Sequence, residues 1–93
     1  MTSNHKTILE IIQQRLETRF HPTFLEIIDD SASHFGHSGN ASGGGHFLLK
    51  IRSDMFQGLR LITQHQLIYA ELQDLIPNKI HALSIDSGSY QIP

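Results

Sequence analysis

The chain contains no cysteine and no tryptophan, only three prolines, and no surplus of positive charge. Without cysteine there is neither a disulfide nor a thiolate metal site, so any metal must be held by histidine, by carboxylate or by a partner's sulfur. Seven Lys and Arg stand against nine Asp and Glu, a formal net charge of −2, and neither sign forms a long run. That balance argues against a strong general affinity for nucleic acid. No stretch approaches the roughly 18 consecutive apolar residues of a membrane-spanning helix. Residues Met1 to Lys6 lead straight into an amphipathic pattern without the features of a secretory leader, so the expected location is cytoplasmic.

At 93 residues the chain has core enough for one domain. Ile8, Ile11, Ile12, Leu16 and Phe20 recur at steps of three and four, predicting a helix over 8–20 that Thr2, Ser3 or Asn4 caps and His21-Pro22 stops. Residues 23–29 read as a strand, with Leu25 and Ile27 alternating against Phe24, Glu26 and Ile28. The Ser-, Gly- and His-rich segment of about 31–45 has little to bury and is expected to be a mobile loop. Alternation resumes at 46–53 with Phe47, Leu49 and Ile51, giving a second strand antiparallel to the first. Ser53-Asp54 suits a helix cap, residues 56–58 a turn, and Leu61, His65, Ile68, Leu72 and Leu75 form the stripe of a second long helix over about 59–76. Residues 80–86 read as a third strand with His81, Leu83 and Ile85 on one face, and 88–93 as a frayed tail.

The resulting order αββααβ, with a turn or short helix before the long one, predicts an α+β domain. Its three-stranded sheet carries helices on one face, and the ordered core spans about 5–87. This is the order of the type II KH fold, which grips nucleic-acid backbone through a Gly-X-X-Gly loop. Here that junction reads Phe56-Gln57-Gly58-Leu59, one glycine short of the grip. Nucleophile-elbow, His-Glu-x-x-His and phosphate-loop patterns are all missing, so catalysis is not expected.

Four stretches in order resemble the BolA family. They are Phe24 to Ser31; His46-Phe47; Phe56 to Tyr69, where Phe56, Gly58, His65 and the Ile68-Tyr69 pair fit the family's Phe-x-Gly, Arg-His and Ile-Tyr signals; and Ile80 to Ile85, similar to a closing His-Ala-Leu strand. Three positions depart from the pattern: Gln64 stands where the family has Arg, and Gly44-Gly45 precede His46-Phe47. The resemblance implies a non-catalytic partner of a monothiol glutaredoxin. The two proteins would share a [2Fe-2S] cluster with glutathione, serving iron–sulfur assembly, trafficking and iron homeostasis. It implies a monomer alone and a heterodimer with the partner. The family's ligand in the closing strand falls on His81, and a second comes from the loop, where His34 and His37 are offered. Bacterial members imply the alternative, a DNA-binding transcriptional and stress regulator, for which Lys50, Arg52, Arg60 and Lys79 are the available contacts.

Apart from the resemblance, seven histidines without one cysteine are an unusual donor inventory. Imidazole binds iron, zinc and copper, and can replace thiolate on one iron of a [2Fe-2S] centre. His34 and His37 also suit a solvated loop, and His65 a structural place in its helix. His46, opening a strand, lines the loop mouth. Neutral imidazole is the ligating form, so a shared centre is expected to weaken as pH falls through the ordinary histidine range near about 6.5.

Overall fold

A computed structural model describes residues 7–30 and 45–89. The expected mobile loop falls almost wholly outside them, as do His5, His34 and His37. Helix α1 (Ile8–Phe20) is followed by strands β1 (Phe24–Asp29) and β2 (Gly45–Arg52), a 3-10 turn (Asp54–Phe56), helix α2 (Leu61–Leu72), a second 3-10 turn (Gln73–Leu75) and strand β3 (Ile80–Gly88). The sheet has the order β1-β2-β3, β1 antiparallel and β3 parallel to the central strand. The expected α+β class, element order and three-stranded sheet are therefore present.

Helix α1 begins at Thr7, later than the caps expected from its sequence. Thr7 accepts from the Glu10 amide at 3.1 Å, and the Glu10 carboxylate accepts from the Thr7 amide at 2.9 Å. This reciprocal pair satisfies two amides that the helix start would otherwise strand. At the other end His21 takes a left-handed conformation, φ 46°, and its amide closes on the Glu17 carbonyl. Ile12, Leu16 and Phe20 are fully buried, where they meet Phe47, Leu49 and Ile51 from β2 and Ile68 and Leu72 from α2.

Helix α2 is shorter than its apolar pattern suggested. Gly58 has φ +80°, a conformation open to glycine at little cost, and the helix starts only at Leu61. Leu61 itself is 57% exposed, so the buried stripe is Gln64, Ile68 and Leu72, continued by Leu75. Gln64, which is not in the apolar stripe read from the sequence, thus takes an inward position in place of Leu61 and His65. Its amide nitrogen donates to the Leu59 carbonyl at 2.9 Å and its oxygen accepts from the Ser87 hydroxyl at 2.7 Å, tying α2 to β3. Strand β3 also runs further than its sequence suggested, through Gly88.

Ser53 joins four elements. Its hydroxyl, fully buried, donates to the Phe20 carbonyl at the end of α1 at 2.6 Å and accepts from the Met55 amide at 3.1 Å. Its own amide donates to the Gly88 carbonyl at the end of β3. Across the helices, Arg15 makes a bidentate pair with Asp74 and adds a bond to the Glu71 carbonyl. Hydrogen bonding to Arg15 holds the Asp74 carboxyl below the usual carboxylate range.

Ser53→Ala is expected to cost about 1–3 kcal/mol in urea unfolding, the penalty for leaving a buried acceptor unpaired. Because the folded-state pKa of Asp74 is depressed, the Arg15 pair stabilises above the unfolded carboxylate pKa and that contribution is lost as pH falls through the folded value. The stability gap between wild type and Asp74→Asn should therefore be present at neutral pH and close in acid.

Candidate functional site at the β2–β3 rim

The site begins with two backbone bonds that fix where β2 starts. The Gly45 amide donates to the Lys79 carbonyl at 3.1 Å and the Asp30 amide donates to the His46 carbonyl at 2.7 Å. Gly45 thus lies against the start of β3 while His46 lies against the residue after β1. Residues 45–52 then alternate: Phe47, Leu49 and Ile51 point into the core, and His46, Leu48 and Lys50 to the face that, among the described residues, no helix covers.

Strand β3 does not follow the same count. Gly45 is level with Ile80, but His46 is level with Ala82, so His81 is an extra residue in the ladder. A bulge of this kind interrupts the in-out alternation. Ile80 is fully buried, His81 and Ala82 are both exposed, and Leu83, opposite Phe47, turns back toward the core. His81 therefore does not share a face with Leu83 and Ile85, as uninterrupted alternation predicted. It stands on the open side beside His46, the two imidazoles edge to face with centroids 5.1 Å apart.

Two imidazoles are thus brought together at one rim of the sheet, His81 exposed and His46 half-buried. Among the described residues no group of three or more His, Asp or Glu is placed to hold a metal ion. The pair fits an imidazole contribution to a metal centre whose other donors come from elsewhere. His34 and His37 lie in the undescribed stretch between Asp30 and Gly45, the two residues that flank this rim. His65 remains in α2, its Nε2 buried and without a hydrogen-bond partner, apart from the rim pair. The sequence signal for His46 was its place at the mouth of the loop; its pairing with His81 depends on the bulge, which no residue pattern announced.

The four basic residues do not gather. Arg52 lies at the far end of β2, donating to the Ile51 and Asp86 carbonyls and to the Asp86 carboxylate at 3.1 Å. Lys79 lies beside Gly45, at the opposite end of a strand that rises roughly 3.3 Å per residue, so the two are on the order of 20 Å apart. Lys50 is 4.0 Å from Glu26 across the β1–β2 ladder. Arg60 is exposed at the start of α2, at the Arg52 end of the sheet, where Gln64 reaches Ser87.

A family profile described as BolA-like protein matches residues 16–90. Over 79 residues the chain is 46% identical to SufE-like protein 1, chloroplastic/mitochondrial, of Arabidopsis thaliana, covering 80% of this chain but 21% of that protein. It is 36% identical over 78 residues to the DNA-binding transcriptional regulator BolA of Escherichia coli (strain K12), covering 84% of this chain and 71% of the relative. BolA1 from Arabidopsis thaliana superposes with a TM-score of 0.76 at 31% identity, covering 95% of each chain. The BolA domain of SufE1 from the same plant gives 0.73 at 42% identity, over 86% of this chain and 88% of that domain. Among the described residues no helix is long and apolar enough to cross a membrane.

Because His81 is exposed, His81→Ala should leave unfolding free energy within about 0.5 kcal/mol of wild type. It should nevertheless shift the ring-proton resonances of His46, whose neighbouring aromatic ring is removed. Unmoved His46 resonances would contradict the pairing.

Proposed function

The chain belongs to the BolA family, and on that premise we propose that it is a non-catalytic binding protein that donates imidazole to a [2Fe-2S] cluster completed by a monothiol glutaredoxin and glutathione. The observation that carries this reading is the position of His81. It is lifted out of the ladder at an open rim, beside a second histidine and against the residues that flank the segment bearing His34 and His37. An exposed donor in an incomplete set suits a centre finished by another molecule. A cysteine-free chain likewise suits a partner that brings the sulfur.

In this reading the protein's own work is presentation. Buried Ile80 and the Gly45–Lys79 backbone bond hold the start of β3, so His81 is offered from a fixed strand. Either loop histidine supplies the second donor. The cluster supplies the electron-transfer and transfer chemistry when bound, and the sharing of ligands between two proteins makes it a vehicle for iron–sulfur trafficking. An imidazole pair open to water favours such exchange over a reaction that needs solvent excluded.

A second reading, regulation through DNA, is favoured by the naming of bacterial relatives as DNA-binding transcriptional regulators. Against it, Lys50 and Arg52 are engaged with acidic neighbours, and Lys79 is remote from Arg52. Of the four, Arg60 and Lys79 are outside such pairs among the described residues.

Mixed without oxygen with a monothiol glutaredoxin, glutathione, iron and sulfide, the protein should change the visible circular dichroism of the glutaredoxin-bound cluster. His81→Ala should restore the glutaredoxin-only spectrum; a changed spectrum that persists in that variant would remove His81 from the centre. On duplex DNA, fluorescence anisotropy should show weak binding that disappears between about 50 and 200 mM salt. Binding that survives physiological salt and weakens in Arg60→Ala or Lys79→Ala would instead support the regulatory reading.

A further inference from the structure

We infer that His46 and His81 form a chelating pair for a single zinc-like divalent cation, bound by this chain without glutaredoxin, glutathione or the loop histidines. This goes beyond the shared cluster, since it needs no partner and enlists His46, which the resemblance to the family leaves without a role. Three observations carry it. The two rings have centroids 5.1 Å apart. An imidazole nitrogen lies about 2.0–2.1 Å from zinc and its ring centroid about 1.1 Å further out, so two imidazoles at a tetrahedral angle have centroids about 5 Å apart. The centroid spacing already present is therefore that of a chelated pair, and from the edge-to-face arrangement one ring turns about its Cβ–Cγ bond to bring a nitrogen to the ion.

The pair is also held by backbone, not by the rings' mutual contact alone. His46 is fixed from one side by the Asp30 amide and from the other by pairing with β3. His81 is fixed as the extra residue between buried Ile80 and Ala82. Little rotational freedom in the main chain remains to be lost on binding, which favours chelation over two separate monodentate contacts. Finally, His81 is exposed, so an ion can reach the pair and complete its coordination with water. Imidazole nitrogens with open positions suit zinc, copper and nickel over the harder magnesium and calcium, which take oxygen.

The test is titration of zinc chloride into the untagged, metal-free full chain, followed by calorimetry and by the histidine ring resonances. No iron, sulfide or partner is present, so the outcome is independent of whether a cluster forms with glutaredoxin. One equivalent of zinc is expected to bind, moving the rings of His46 and His81. His46→Gln and His81→Ala should each weaken it at least about tenfold, the loss caused even by removing an outer-shell partner of a metal ligand. His21→Ala and His65→Ala, measured alongside, should bind as wild type, and far-ultraviolet circular dichroism should show every variant folded. Zinc affinity that survives in folded His46→Gln overturns the inference, as does binding that moves other histidines while these two stay still. Magnesium binding as tightly as zinc would overturn it too.

Discussion

Strand β2 has a neighbour on both sides, and the two neighbours run in opposite senses. An antiparallel partner can be reached by a direct return of the chain, but a parallel one requires a crossover over a face of the sheet. That requirement organises the molecule. The crossover is α2 with its flanking 3-10 turns, which must lie on the side where Phe47, Leu49 and Ile51 point. α1 packs there as well, leaving the opposite face without a helix among the described residues. Both the beginning of β2 and the beginning of β3 consequently fall at one rim. His46 and His81, far apart in sequence, meet there because the strands run in parallel.

Two polar residues secure the arrangement at the other rim. Ser53 holds the ends of α1 and β3 to the exit of β2, and Gln64 holds the start of α2 to Ser87. In an apolar core such groups specify position more than they add stability, since each is costly when unpaired and modest when satisfied. The departure from the family's Arg at position 64 fits this role. The neutral amide offers one donor and one acceptor to a buried site that contains a carbonyl and a hydroxyl, with no charge to desolvate.

The architecture was legible in the sequence because its elements rest on periodicity. The stripe of Ile12, Leu16 and Phe20 gave α1, and the alternation of Phe47, Leu49 and Ile51 gave β2. What was not legible depends on tertiary competition. Leu61 fits the helical period yet stays exposed, because Gly58 delays the helix and Gln64 takes the inward position instead. Thr7 outcompetes the earlier caps because Glu10 lies three residues on. For the site, resemblance pointed to His81, but strict alternation placed it on the wrong face; the inserted residue at the rim re-aims it. His46 carried the weakest residue-level signal of the rim and turned out to stand beside His81.

Strand β3 is a nine-residue edge, and a long open edge is a template on which other chains can add strands and aggregate. Here the outer side is interrupted. The Tyr69 hydroxyl, from α2, donates to the Leu83 carbonyl at 3.1 Å, and the irregularity at His81 breaks the repeat just before it. The same extra residue that exposes an imidazole therefore also breaks the regular hydrogen-bonding repeat of the edge, so one feature of the backbone both displays His81 and interrupts the strand.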